Sequence, residues 1–271
     1  MKDQTTYYPE ESAELHSWRQ QGPKARRTAG EVMVQIVGMT TVQGALYCDE
    51  VWGVGSGVGD KSAPKTGVLN FASATKPGGG FLNGAQAQEE SIARSSSLYA
   101  SLILHKVMPF YALHADDDKD GYYSHGMIYS PYVQIIRNAK SEWIPPVRVE
   151  VVTSPAVNAK QVREKRRFMK SKSSVEDRIV EVMEERMGRV LALFELHGVQ
   201  NLVLGSFGTG VFQNNVRSIA NIWAKLLEHP GARFKHSFDN VVFTIPDAET
   251  QSKFKEGYYG PNYQTRAASS L

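Results

Sequence analysis

Apolar positions along the chain change period several times, and each change marks a candidate element. Pro9 to Gln21 reads as a short amphipathic helix stopped by Gly22-Pro23. From Arg26 to about Gln43 the pattern is ambiguous, because Val32, Val34 and Ile36 alternate as in a strand while the stretch as a whole does not settle on one period. Gly67 to Phe71 reads as a strand, and a long helix is predicted from Glu89 to about Val107, with Ile92, Leu98 and Leu102 among its apolar positions. Strands follow around Met127 to Tyr129 and Arg148 to Thr153. From Val175 to His197 a stripe of Ile179, Val182, Met183, Met187, Val190 and Phe194 predicts a helix packed on the core. Leu202 to Leu204 is a buried strand, and a further helix begins near Asn215.

Two glycine-rich segments between these elements carry the candidate chemistry. In the first, Asn70 is followed by Gly78-Gly79-Gly80, Asn83 and then Gln88-Glu89-Glu90. Consecutive glycines let the backbone approach a polar ligand without a Cβ in the way and permit φ > 0 where a turn needs it. Neighbours on a helix point about 100° apart, so Glu89 and Glu90 do not flank one bond from opposite faces as paired glycosidase acids do. One acts and the other positions. The plainer alternative is that Glu89-Glu90 opens a solvated helix, as Glu184-Glu185 does within a helix. The second segment, Gly205-Ser206-Phe207-Gly208-Thr209-Gly210-Val211-Phe212, follows a strand and precedes a helix, the general arrangement for holding phosphate on backbone N–H groups. Val211 stands where a Walker A loop has lysine, and the order GxxGxG is not the dinucleotide fingerprint GxGxxG.

The triple glycine, seven intervening residues and Gln88-Glu89-Glu90 resemble the GGG-x(6–8)-QEE motif of poly(ADP-ribose) glycohydrolases, and Leu69 to Ala74 is similar to the bacterial type. Ile128-Tyr-Ser-Pro131, Val152 to Ala159 and Leu202 to Phe212 resemble the same family in the same order, so the likeness runs from about Val68 to Ile245. It implies an α/β fold, a macrodomain-like three-layer α/β/α sandwich with a mixed central sheet. The whole chain would form one catalytic domain, with residues 1–66 as an N-terminal helical extension and 67–271 as the core, and the likeness favours helix for the ambiguous stretch after Arg26. Glu90 would be the general acid, and Glu89 and Gln88 would orient the riboses. Gly78, Gly79 and Gly80, with Asn70 and Asn83, would surround ribose and diphosphate. Gly205, Ser206, Gly208, Thr209, Gly210 and Val211 would close the other side, with Phe212 against the terminal ribose. Thr209 and Gln213 depart from the Cys and Gly more frequent in bacterial members. The implied reaction releases ADP-ribose from its polymer without metal or cofactor. ADP-ribosylated proteins are further candidate partners, and a monomer is the expected state. An ADP-ribose reader would need the glycine loops but no acid, and a nicotinamide-dependent oxidoreductase would need the absent fingerprint.

Composition adds boundaries. At 271 residues, 41% hydrophobic and 22% charged, the chain can bury one large core. One cysteine, Cys48, leaves no intramolecular disulfide, and the seven histidines show no HxH or HxxxH spacing. No apolar run approaches the roughly 20 residues of a membrane span, so a cytoplasmic or nuclear protein is expected. Net charge is only +3, but Arg163, Lys165, Arg166, Arg167, Lys170 and Lys172 form a basic run, either a solvated surface or a platform for a polyanion. Asp116 to Gly121 imitates a calcium loop but places Met127 where the bidentate Glu belongs. The glycines from Gly53 to Gly59 lack dinucleotide spacing, and the aromatic tail Phe254 to Tyr263 either stacks on a base or covers the core.

Overall fold

A computed structural model describes residues 4–22, 30–53, 63–167 and 172–260 of the chain. The glycine-rich stretch 54–60, the end of the aromatic tail at Tyr263 and Lys170 lie outside the described residues, as do 23–29, which include the start of the ambiguous stretch.

Seven strands form one mixed sheet: β1 (Thr6–Tyr8), β2 (Met33–Val37), β3 (Thr66–Phe71), β4 (Met127–Arg137), β5 (Trp143–Ser154), β6 (Asn201–Leu204) and β7 (Asn240–Thr244), in the spatial order β1-β4-β5-β3-β6-β7-β2. The five strands from β5 to β2 run parallel, while β4 is antiparallel to both β5 and β1. The period-2 alternation divides their side chains between two apolar layers. Leu69, Val152, Leu202, Leu204, Val241 and Phe243 face one core, whereas Val68, Val151, Val203 and Val242 face the other.

Helices α1 (Ala13–His16), α7 (Lys172–Leu196), α8 (Val216–Leu227) and α9 (Ala248–Tyr259) cover the first face. Helices α2 (Thr41–Trp52), α3 (Gln88–Ser95), α4 (Leu98–Leu102) and α5 (Met108–Asp116) cover the second, and α6 (Ala159–Lys165) leads from β5 towards α7. The result is a three-layer α/β/α sandwich.

The ambiguous stretch resolves as both elements in succession, β2 and then α2. Thr40 caps α2, its Oγ1 accepting from Gln43 N–H at 3.3 Å while Gln43 Oε1 accepts from Thr40 N–H at 2.8 Å, a reciprocal capping box. The N-terminal 66 residues thus do more than extend the core with helices: they also supply both edge strands. Of the helix expected from Pro9 to Gln21, only Ala13–His16 is helical.

The single helix expected from Glu89 to Val107 is three pieces, and serines make the first break. Ser96 is extended (φ −144°) and bridges to Ile135. Its Oγ donates to Ile92 C=O at 2.7 Å and accepts from Leu98 N–H at 3.2 Å, offering the backbone a local alternative to helix. Both hairpin strands run further than expected. Pro145 and Pro146 are tolerated because that part of β5 pairs only with β4; pairing with β3 is registered from Glu150 onward.

Candidate active site

Strands β3 and β6 are neighbours, yet the chain leaves β3 towards β4 and leaves β6 towards β7, so the connections diverge above their carboxyl ends. Such a switch point opens a crevice where ligands bind in open α/β sheets. Both glycine segments rise there. Phe71, ending β3, tilts against Phe207 with ring centroids 5.3 Å apart, which brings the two loops together.

Glu89 and Glu90 lie in the first turn of α3, and both are buried. Glu89 is held on every side: its Oε1 accepts from Asn70 Nδ2 at 3.1 Å, its Oε2 from Ser73 N–H at 2.6 Å, and Gly78 N–H adds a third donor. Burial pushes its carboxyl up to about 8, the Glu90 charge adds to the rise, and the three donors oppose it. Glu90 differs. Its Oε1 accepts from Gly80 N–H at 2.9 Å, and among the described residues Oε2 accepts no hydrogen bond. The two carboxylates meet at Gly79, where a Cβ would stand 2.3 Å from Glu90 Oε1 and 3.1 Å from Glu89 Oε2. Gly78 and Gly79 also have φ of +69° and +62°. The glycines expected to wrap a ligand therefore first make room for the chain's own acids.

Two residues expected at the ligand point inward. Asn70 is fully buried beneath Glu89, with Nδ2 also 3.3 Å from Thr153 Oγ1. Gln88 uses its amide to tie α3 to β3: Oε1 accepts from Phe71 N–H at 2.8 Å, and Nε2 donates to Leu69 C=O at 2.8 Å and Thr41 Oγ1 at 3.1 Å. Both hold the acids in place. Asn83 is exposed in the turn Phe81–Asn83, whose Phe81 ring meets Tyr99 edge-on at 4.6 Å.

The loop after β6 is built differently. Gly205 fits under Thr244, whose carbonyl a Cβ would approach to 2.9 Å. Gly208 has φ +74°, and a Cβ there would stand 2.3 Å from Ala156 Cβ. At Gly210 φ lies outside the left-handed region and the space around it is open, so a side chain there would act by blocking approach and not through φ. Thr209 Oγ1 donates to Ser206 C=O at 2.9 Å, and Asn214 clamps the loop by donating from Nδ2 to Gly208 C=O at 2.9 Å and Val157 C=O at 2.7 Å. Among the described residues, the N–H groups of Ser206, Gly208, Gly210, Val211 and Phe212 find no acceptor within the chain. Unpaired N–H groups between a strand and the start of a helix are the general arrangement that can hold an anion. Val211 is 79% exposed at the tip, and Phe212 is half-buried with its ring 6.1 Å from Tyr123.

Ser73, Thr41, Tyr99, Thr153 and Asn214 escaped the sequence reading, although Ser73 and Thr153 lay inside segments it singled out. Tyr111 escaped too: its buried hydroxyl has no partner among the described residues, and burial, then the Glu89 charge, hold it above the usual phenol range. Phe254 and Tyr258 of the aromatic tail pack on Phe243 at 5.0 and 5.4 Å, so this part covers the core. The described part of the basic run is largely neutralised: Arg163 pairs with Glu176 at 2.7 Å, Lys165 with Asp118 and Asp120 at 3.2 and 3.3 Å, and Arg166 with Asp120 at 3.8 Å. Among the described residues, no group of His, Cys, Asp and Glu is arranged to hold a metal ion, and no helix is long and apolar enough to cross a membrane.

Comparison with known proteins adds an independent line. Residues 1–138 match the microbial-type PARG catalytic domain. The poly(ADP-ribose) glycohydrolase of Deinococcus radiodurans, solved in complex with ADP-ribose, is 30% identical with a TM-score of 0.78, the match covering 95% of each chain. That of Thermomonospora curvata is 34% identical with a TM-score of 0.78 over 94% of this chain and 86% of that one, and it has also been solved with the inhibitor ADP-HPD. No curated protein sequence matches. A shared sandwich, a Gln-Glu-Glu turn with both acids buried against three glycines, and likeness along nearly the whole chain agree: the chain belongs to the microbial-type poly(ADP-ribose) glycohydrolase (PARG) catalytic-domain family.

Proposed function

We propose that this chain hydrolyses the ribose–ribose O-glycosidic bonds of poly(ADP-ribose) and releases ADP-ribose, acting as a single catalytic domain with Glu90 as the acid. The observation that carries the role of Glu90 is the asymmetry of the carboxylate pair. Both oxygens of Glu89 accept hydrogen bonds within the protein, whereas Glu90 is held by one oxygen and leaves the other for a ligand.

Glu89, pushed up to about 8, brings the pair a proton at neutral pH. Glu90 is the member placed to deliver it. It protonates the oxygen of the leaving ribose as the C1–O bond breaks, and positive charge develops on the remaining ribose. The diphosphate, seated on the N–H groups of Gly210, Val211 and Phe212, lies close enough in this reading to stabilise that charge. Water then adds to C1 and gives its proton to Glu90, which restores the acid. Phe212 fixes the terminal ribose, while Gln88 and Asn70 keep α3 and Glu89 in register.

Incubation with labelled polymer, followed by chromatography of the products, tests the reading. The wild-type chain is expected to yield ADP-ribose. Glu90→Gln is expected to lower turnover by about 10²–10⁴-fold, the usual cost of losing a general acid, with ADP-ribose affinity within about tenfold of wild type. Retention of more than about a tenth of wild-type turnover would refute the role of Glu90.

A further inference from the structure

Arg186 is a cation in an apolar position. It lies four residues from both Val182 and Val190 on the core-facing stripe of α7, and its side chain is wholly buried. Among the described residues its guanidinium meets no carboxylate; it donates only to backbone carbonyls. Nη1 reaches Pro155 C=O at 3.0 Å, and Nη2 reaches Tyr122 C=O at 2.7 Å and Tyr123 C=O at 3.2 Å, while Nε has no acceptor. Nearby Arg189 is matched by Glu185 at 2.8 Å, while Glu10, paired with Lys119 at 2.5 Å, acts on Arg186 without a hydrogen bond to it and offsets part of the burial. A buried guanidinium with no carboxylate in hydrogen-bond contact is costly, and burial pulls it down to about 9 against the charge of Glu10. A methionine would fill the same space at lower cost, so stability alone does not account for arginine here.

What the guanidinium joins is informative. Tyr122 and Tyr123 end the turn after Lys119–Gly121, where Asp120 and Tyr123 have φ of +61° and +56°, a conformation that non-glycine residues rarely adopt. Tyr123 presents its ring to Phe212, and its hydroxyl is hydrogen-bonded to the Asn158 side chain. Pro155 precedes Ala156, the residue pressed against Gly208. One planar fork therefore fixes two separate loops, one behind Phe212 and one behind Gly208. We infer that Arg186 is a positioning residue for the active site: it sets the Tyr122-Tyr123 and Pro155-Ala156 backbones that aim Phe212 and Gly208 at the substrate.

The inference rests on the proposed hydrolysis, and two variants with two readouts separate its failure from failure of that reading. Arg186→Met and Arg186→Lys are compared with wild type well below their unfolding temperatures, by single-turnover cleavage of labelled polymer and by calorimetric titration with ADP-ribose. Arg186→Met is expected to unfold cooperatively, to lose about 100-fold in turnover, as misplacement by about 1 Å typically does, and to bind ADP-ribose about tenfold more weakly. Arg186→Lys keeps the charge but not the fork, so it is expected to fold yet to retain no more than about a tenth of wild-type turnover. Wild-type turnover and affinity in a folded Arg186→Met, or full activity in Arg186→Lys, would overturn the inference. If Arg186→Met does not fold, Arg186→Lys decides. If wild type itself leaves the polymer intact, the proposed function fails, while the ADP-ribose titration of Arg186→Lys still decides whether the fork shapes the ligand site.

Discussion

The loops after β3 and β6 are both rich in glycine, and they differ in what becomes of their backbone N–H groups. In the first, backbone N–H groups are consumed internally: Ser73 and Gly80 donate to Glu89 and Glu90, and Gly79, Phe81, Asn83, Gly84 and Ala85 donate to carbonyls of the same loop. In the second, Gly208, Gly210, Val211 and Phe212 leave their N–H groups without an acceptor among the described residues. Glycine in the first loop admits the protein's own carboxylates; in the second, Gly205 and Gly208 serve packing, and in the proposed reading Gly210 leaves room for a foreign anion. Close approach of backbone to a polar group looks the same in sequence whichever side supplies the group.

That contrast can be broken most forcefully at Gly79. A methyl group there would strike Glu90 Oε1 and would force alanine to φ +62°. Gly79→Ala is expected to lower single-turnover cleavage by at least about 100-fold by displacing the acid, while ADP-ribose affinity falls far less.

Gly208→Ala should show a mixed effect, because this glycine serves the internal packing of the second loop. Its φ of +74° and the collision with Ala156 are expected to cost about 1–3 kcal/mol of stability, and ADP-ribose affinity should fall with it. Thermal unfolding beside calorimetry would check both.

A gentler perturbation is pH. Glu89 has its carboxyl raised to about 8, so the pair holds its proton below that value and loses it above. Turnover is expected to decline as pH rises through about 8, approaching tenfold per unit beyond it, whereas ADP-ribose binding to the second loop, which has no ionisable group among its N–H donors, should change little over that limb. A flat rate from pH 7 to 10 in single-turnover measurements would separate Glu89 from proton supply.

Much of this arrangement was legible because it is local. The strands β3 and β6, the helix α7, the Asn215 cap of α8 and both glycine loops follow from periodicity and punctuation within short windows. The roles of the two N-terminal strands were not legible, since β2 joins the sheet only through β7, some 200 residues away, with Met33 opposite Asn240, and β1 only through β4. Nor could the pattern reveal which way Gln88 and Asn70 turn, because an amide serves a ribose hydroxyl and a neighbouring backbone equally well. The break in the helix after Ser95 was visible as three consecutive serines, but apolar spacing continued across it and concealed the stop. Arg186 did leave a trace, a charge in register with Val182 and Val190, whose meaning required the loops it ties.

The central claim is a division of labour, with chemistry at the first loop and anion binding at the second, and its most direct test is ADP-ribose titration paired with single-turnover cleavage for Glu90→Gln and Gly210→Val. The account predicts opposite signatures. Glu90→Gln should abolish cleavage and keep ADP-ribose affinity within about tenfold. Gly210→Val, whose side chain enters open space in the unliganded chain, should keep its unfolding temperature yet weaken ADP-ribose binding by an order of magnitude or more, because the methyl groups stand where the diphosphate must approach. Unchanged ADP-ribose affinity in a folded Gly210→Val, or loss of binding with cleavage in Glu90→Gln, would contradict it.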